Sequence, residues 1–342
     1  MISVRKGSDS QILSVGGYQP SRVVPNSEIV ERIESTDEWI RQRTGIEERR
    51  FAAPEESVLD MAEAACRQAL ERAGISMEDV DTVIVATITY PFQAPSAATA
   101  LIARLGNPKA AAFDINAACA GFCYGLGMAS DFIRSGTSKY VLVIGVEKLT
   151  DFTDPTDRAT AFIFADGAGA VLVGPSDHPG IGPTVWGSDA DSREAIVMNP
   201  SWNDFRNGAT DVPWPVISQQ GQVVFRWAVY SMAKAGLRAV EAAGMTVDQL
   251  DAFIPHQANV RIIETMAKEM KLPEKVIIAQ DIRTSGNTSA ASVPLAMAAL
   301  LKDHPELHGG LALLIGYGAG LVYAGQVVQL PPLPHVPTIT NN

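Results

Sequence analysis

Cysteine is scarce in this chain. Three are spread over 342 residues (Cys66, Cys119 and Cys123). They form neither a CxxC pair nor a Cys/His cluster, which argues against a disulfide framework and against zinc or another metal. Positive charge is short as well: 27 Lys and Arg against 38 Asp and Glu leave a formal net charge of −11. That balance speaks against nucleic-acid binding. The opening Met1-Ile-Ser-Val-Arg-Lys-Gly-Ser lacks an apolar core of signal-peptide length, so a cytoplasmic location is expected. One uncharged run could be mistaken for a membrane span. Residues 309–330 carry no charge, but they hold six glycines and break at Gly316-Tyr-Gly-Ala-Gly320. Two buried strands joined by a glycine turn explain the run better than a membrane span.

What is present is a hydrophobic content of 46% with only 19% charged residues, the composition of a compact, heavily buried α/β enzyme. The length suits two domains or one large duplicated one. Strands are predicted near 12–17, 81–87, 140–145 and 167–174, and an amphipathic helix over about 57–73. The stretch Phe113-Asp-Ile-Asn-Ala-Ala-Cys119-Ala-Gly-Phe-Cys123-Tyr-Gly-Leu126 reads as a strand end leading into a helix too apolar for the surface. Cys119 falls in the first turn of that helix, where free N–H groups and the helix dipole favour a nucleophilic thiolate. The competing reading is a small core residue, and for Cys123, one turn deeper, the core reading is preferred.

The second half repeats the first. Ala73-Gly-Ile-Ser-Met-Glu-Asp-Val-Asp81-Thr-Val-Ile is echoed by Ala243-Gly-Met-Thr-Val-Asp-Gln-Leu-Asp251-Ala-Phe-Ile. Asp114-Ile is echoed by Asp281-Ile, Leu142-Val-Ile-Gly145 by Leu313-Leu-Ile-Gly316, and Gly167-Ala-Gly-Ala-Val by Gly318-Ala-Gly-Leu-Val. Two equivalent α/β halves are expected, 1–178 and 223–332, with helix N-termini meeting at the centre. Residues 179–222 read as an insertion covering one end of the site, and 333–342 as a tail. Of five histidines, only His256 ends a core strand, in Pro255-His256-Gln-Ala-Asn259. Asn287 stands close to where Cys119 stands in the first half. Cys119, His256 and Asn287 thus converge from equivalent strand ends, a stronger signal than any lone histidine. Elsewhere, Trp39, with Arg41 and Arg43 following it, could stack on a base and reach phosphate, or could be an ordinary surface helix end.

Ala-Ala-Cys119-Ala-Gly-Phe, Pro-His256-Gln-Ala-Asn-Val-Arg-Ile-Ile and Gly-Asn287-Thr-Ser-Ala-Ala-Ser closely resemble β-ketoacyl-acyl carrier protein synthase III, in order and spacing from about residue 12 to 330. The resemblance implies a thiolase-like fold, two pseudo-symmetric halves in α-β-α-β-α layers, usually as a homodimer. It implies decarboxylative condensation of an acyl-CoA starter with malonyl-acyl carrier protein, initiating fatty-acid synthesis. Cys119 would carry the acyl group, while His256 and Asn287 would support decarboxylation of the malonyl unit. Backbone N–H groups of Cys119 and Ala319 would form the oxyanion hole; the family often has glycine at the latter position, and a negative φ keeps the donor. Trp39, Arg43 and Arg158 match positions that hold the adenine end of coenzyme A, and Asn259 one that contacts its pantetheine arm. No cofactor is implied, since the coenzyme A thioester is a substrate. An acidic enzyme meeting an acidic carrier protein needs a local basic patch, for which Arg226, Arg261, Lys268 and Lys271 are candidates. The acyl pocket would be closed by the partner subunit's loop with Phe92 and Ala94, the small Ala94 admitting starters larger than acetyl.

Related chemistries fare less well. Thiolases need a second cysteine late in the chain, and none follows Cys123. Hydroxymethylglutaryl-CoA synthases carry a glutamate near the end of Val85-Ala-Thr-Ile-Thr89, absent here. A non-catalytic scaffold partner is expected to lack Cys119, His256 or Asn287. A priming ketosynthase of a polyketide pathway shares all three and stays open.

Overall fold

The computed structural model describes residues 6–208 and 214–335. The first residues of the leader reading and the tail from 336 onward lie outside the described residues. Ten strands build two sheets: β1 (Asp9–Tyr18), β2 (Thr82–Ala86), β3 (Ala111–Ile115), β4 (Val141–Lys148), β5 (Asp166–Ser176), β6 (Val185–Ser188), β7 (Ala252–Pro255), β8 (Ile277–Ile278), β9 (Leu311–Gly318) and β10 (Val322–Gln329). Seven helices matter for the site: α1 (Asp37–Thr44), α2 (Val58–Ala73), α3 (Ala97–Leu105), α4 (Gly121–Arg134), α5 (Gly221–Ala242), α6 (Val260–Glu269) and α7 (Ser292–Asp303).

The first sheet has the order β1-β5-β4-β2-β3 and the second β6-β10-β9-β7-β8. In each, two parallel pairings on one side meet two antiparallel pairings on the other. The two halves therefore share one topology. The central strands are apolar on both faces because helices cover both. α2 and α3 bury Ala65, Cys66 and Leu101 against Val83, Val85 and Leu142. α5 and α6 bury Met232, Ala235 and Ile263 against Phe253 and Leu313. Between the sheets, α4 and α7 pack Phe122, Leu126, Val293 and Met297 against Ile84, Val143, Ile254 and Leu314. The layers are α-β-α-β-α, as the resemblance implies, and residues 309–330 form the hairpin β9–β10. Among the described residues no helix is long and apolar enough to cross a membrane.

Local chemistry sets the helix ends. Ser57 and Asp60 form a capping box at α2, and Gly74 closes it in the left-handed conformation, the cap contributing about 1 kcal/mol. The repeated aspartates do equivalent work: the Asp81 carboxylate accepts the Lys139 and Tyr140 N–H groups, and Asp251 accepts that of Leu311. Each ties the start of one parallel strand to its neighbour.

Three echoes are corrected by the register. Asp281-Ile282 opens a short helix, Ile282–Ser285, instead of ending a strand. Pairing with the central strands sets Gly169 opposite Gly145 and Ala324 opposite Gly316, so Gly167 corresponds to Val322, and its likeness to Gly318 is one of sequence only. The third concerns the site: the tight turns Ala118–Ala120 and Ser289–Ala291 are equivalent, which makes Ala290 the counterpart of Cys119 and places Asn287 opposite Asn116. Within 179–222, Val185–Ser188 supplies the edge strand of the second sheet, while Ile196–Asn199 and Val216–Gln219 pair as a ribbon over the site.

Candidate active site

α4 and α7 carry no side-chain N-cap. Instead each begins from a tight turn whose first residue, Ala118 or Ser289, is left-handed (φ 44° and 49°). Those turns meet at the centre of the molecule. One cavity of about 1470 Å³ runs from Trp39, Arg43 and Arg158 at its outer end to Cys119, His256 and Asn287 at its inner end.

Cys119 sits in the turn just before α4, one step earlier than expected. It is half-buried, and Gly318 leaves it room: a Cβ there would stand 2.8 Å from the Cys119 N and 3.0 Å from its Sγ. Burial pushes the thiol up to about 12 and the Glu147 carboxylate adds to the rise, while the Ser289 hydroxyl and the cysteine's own backbone N–H oppose it. Cys123 is a core residue whose thiol burial also raises to about 12.

His256 ends β7 and is 2% exposed. Burial alone lowers its pKa to about 3, so the ring is neutral at physiological pH. Its Nδ1 lies 2.6 Å from the Ser292 hydroxyl, which also accepts the Gln257 N–H at 3.4 Å. The tautomer that carries its proton on Nε2 is the one in which the Ser292 hydroxyl donates to Nδ1. The Tyr317 ring packs edge-on against the imidazole at 5.1 Å. Asn287 holds the Ser289 N–H on its Oδ1 at 2.8 Å, which leaves the Nδ2 hydrogens as its donors. Ala319 lines the cavity beside Gly318 and is not among the residues with left-handed backbone.

At the outer end, the guanidinium groups of Arg43 and Arg158 each stand 5.7 Å from the Trp39 ring centroid. Three residues from two separate segments thus form one aromatic and cationic platform. Asn259 caps α6 through Oδ1 and gives an Nδ2 hydrogen to the Arg43 carbonyl at 2.9 Å, so part of its hydrogen-bonding capacity is already committed. Arg226 and Arg261 also line the mouth, Arg261 lying over Phe225 at 5.5 Å. Lys268 sits in the last turn of α6, outside the cavity, and Lys271 falls beyond the helix end. Phe92 and Ala94 do not line the cavity of their own chain; Phe92 is 60% exposed, and Tyr90, Pro91 and Gln93 form the wall instead.

Several residues at the inner end escaped the sequence reading. Glu147 is fully buried beside Cys119, bonded to Thr87, Thr89 and Ser289. Its signal was a lone acid near the end of the apolar strand Val-Leu-Val-Ile-Gly-Val-Glu147. Ser289 and Ser292 lay within the motif around Asn287, but a motif does not say which serine faces which partner. Among the described residues no group of three His, Cys, Asp or Glu could hold a metal ion.

Models of the 3-oxoacyl-[acyl-carrier-protein] synthase III family match residues 113–190, and its C-terminal part residues 240–330. The chain is 56% identical over 331 residues to β-ketoacyl-[acyl-carrier-protein] synthase III 1 of Streptomyces coelicolor, covering 94% of this chain and 96% of that one. Among solved structures, the priming β-ketosynthase of the R1128 polyketide biosynthetic pathway superposes with a TM-score of 0.94 at 45% identity, over 97% and 99% of the two chains. The 3-oxoacyl-[acyl-carrier-protein] synthase III of Aquifex aeolicus VF5 gives 0.86 at 37% identity, over 94% and 99%. Likeness this high, over nearly the whole of each chain, covers both halves and every turn that builds the cavity: the chain belongs to the 3-oxoacyl-[acyl-carrier-protein] synthase III family.

Proposed function

We propose that the protein is the acyltransferase that starts fatty-acid synthesis, condensing an acyl-CoA with malonyl-acyl carrier protein to a 3-ketoacyl product and carbon dioxide. What carries this reading is the meeting of Cys119, His256 and Asn287 at the inner end of one cavity. Cys119 attacks the thioester carbonyl, and the N–H groups of Cys119 and Ala319 hold the oxyanion. Decarboxylation then places negative charge on the malonyl thioester oxygen. Neutral His256, through Nε2–H, and Asn287, through Nδ2, stabilise that enolate without protonating it. The enolate attacks the acyl group and releases the Cys119 sulfur. No cofactor takes part.

The platform of Trp39, Arg43 and Arg158 suits an adenine and its phosphates, and Asn259 keeps one N–H for the pantetheine arm. Arg226, Arg261, Lys268 and Lys271 offer the carrier protein a basic approach. The protein acts as a homodimer in the cytoplasm, and the loop bearing Phe92 and Ala94 closes the acyl pocket of the second copy. With Ala94 at its end the pocket takes isobutyryl or butyryl groups, each added methylene contributing about 0.8 kcal/mol. The likeness to a polyketide priming ketosynthase favours a second reading, the same chemistry supplying a polyketide pathway; kcat/KM measured with carrier proteins of both kinds separates the two.

The deciding experiment mixes the protein with acetyl-CoA and weighs it intact. One acetyl adduct on the wild type and none on Cys119→Ser is the expected result. An equal adduct on the variant removes Cys119 from the mechanism.

A further inference from the structure

Arg49 is completely buried, and nothing in the chemistry above uses it. A cation in that position is tolerated only where acceptors meet it. It lies on the strand Glu48–Phe51, which pairs with Arg22–Pro25. Its Nη1 donates to the Val24 carbonyl at 3.1 Å. Its Nη2 donates to Asn26 Oδ1 at 2.6 Å and to the Phe162 carbonyl at 3.0 Å. Asn26, itself buried, passes its own Nδ2 hydrogens to Asp37 Oδ1 at 2.6 Å and the Ile46 carbonyl at 2.8 Å. Asp37 stands in the first turn of α1, the helix that carries Trp39 and Arg43. One guanidinium therefore ties α1 to Phe162.

Phe162 belongs to a stretch, residues 158–165, that reaches both ends of the cavity. At the outer end Arg158 stands 5.7 Å from the Trp39 ring, and the Phe162 ring packs edge-on against that same tryptophan at 5.3 Å. At the inner end the stretch clamps the backbone of Asn287. The Ile163 carbonyl accepts the Asn287 N–H at 2.9 Å, and the Ala165 N–H donates to the Asn287 carbonyl at 2.9 Å. The stem of Arg49 lies against the same turn. Gly286 is left-handed there (φ 67°), and a Cβ on it would stand 2.9 Å from the Cβ atoms of Arg49 and Ala165.

We propose that Arg49 is a positioning residue for both ends of the cavity, holding residues 158–165 in place between α1 and the Gly286–Asn287 turn. It touches no substrate and acts through the Trp39 and Arg158 platform on one side and the Asn287 amide on the other. This rests on the coenzyme A and decarboxylation roles proposed above for those residues. The residue type fits the task. The planar fork of an arginine reaches separate carbonyls at once, whereas a lysine ammonium is a single point and a methionine fills the space without donors. Cys119 is held differently, since its turn packs on Gly316 and Gly318 of β9. Loss of the fork should therefore disturb the platform and Asn287 together and leave Cys119 as it is.

The test compares wild type, Arg49→Met and Arg49→Lys in three measurements. These are the Kd of free coenzyme A by calorimetry, carbon dioxide release from saturating malonyl-carrier protein, and Cys119 alkylation by iodoacetamide, which needs neither the platform nor Asn287. Arg49→Met is expected to weaken coenzyme A binding and to slow carbon dioxide release by about tenfold each, with alkylation unchanged. Arg49→Lys should show smaller losses in the same proportion, and it carries the test if Arg49→Met does not fold. A folded variant that keeps both functions, or loses only one, overturns the proposal. Alkylation that changes in step with the other two, or failure of both variants to fold, also overturns it, by marking Arg49 as a residue of the fold alone. Coenzyme A binding unchanged in Trp39→Ala, or normal decarboxylation in Asn287→Ala, overturns the reading beneath it instead.

Discussion

The Ser292 hydroxyl lies 2.6 Å from His256 Nδ1, and the corresponding place in the other half holds Gly121 against Ala86. One duplicated contact, a turn residue touching a strand end, is thus inert packing in the first half and a tautomer-setting hydrogen bond in the second. Removing it with Ser292→Ala frees the imidazole to place its proton on either nitrogen. Malonyl decarboxylation should slow by roughly tenfold, the worth of about one hydrogen bond, while acylation of Cys119 keeps its rate. Single-turnover measurement of each half-reaction checks the split; equal losses in both would mark Ser292 as packing.

His256→Ala and Asn287→Ala should each still form the acyl-enzyme and lose decarboxylation by about two to three orders of magnitude. Carbon dioxide release from malonyl-carrier protein, measured beside acetyl adduct formation, separates the steps. A variant that fails at acylation yet decarboxylates normally would reverse the assigned roles.

Buried His256 also leaves a mark on stability. Its pKa is about 3 in the fold against an ordinary 6.5. Between those values the unfolded chain binds a proton that the folded chain refuses, so stability drops as pH falls below about 6.5, by roughly 1.4 kcal/mol per pH unit. His256→Asn removes that dependence. From about pH 7 to about pH 5, chemical unfolding should show the wild type losing about 2 kcal/mol more than the variant. Parallel losses would mean that the folded ring accepts the proton.

Reversing Arg261 and Lys268 to Glu should raise the KM for malonyl-carrier protein several-fold at low salt, with the effect shrinking as salt rises. The acyl-CoA KM offers an internal comparison, because Arg261 lines the mouth and Lys268 does not. An unchanged carrier KM at low ionic strength would leave this surface without a role.

Gly145 and Gly316 show why the duplicated core was legible. A Cβ on Gly145 would stand 2.1 Å from the Ala290 carbonyl oxygen, and one on Gly316 2.9 Å from the Ala120 Cα. Each central strand needs a glycine where the opposite half's turn presses on it, so the echo of Leu-Val-Ile-Gly145 in Leu-Leu-Ile-Gly316 records a packing requirement. Gly145→Ala should cost about 1–3 kcal/mol of stability by overpacking, measured by chemical unfolding, and an unshifted transition would show that the turn can retreat.

Sequence alone determined the two α/β halves, the hairpin over residues 309–330 and the three segments, those of Cys119, His256 and Asn287, that meet in the cavity, while the layer order came from the family resemblance. Local pattern carries the first three: apolar runs, glycine turns and stretches repeated between the halves. Tertiary structure decided the register and the protonation. Asn287 proved equivalent to Asn116 and not to Cys119, because three residues of offset within a turn leave the apolar pattern unchanged. What raises the Cys119 thiol is burial, and desolvation depends on what encloses a group from distant segments, whereas a helix N-terminus is visible in its own few residues. Glu147 belongs to the same class. Its burial, its three donors from the loop after β2 and its bond to Ser289 from the other half are made only when the two sheets close on one another.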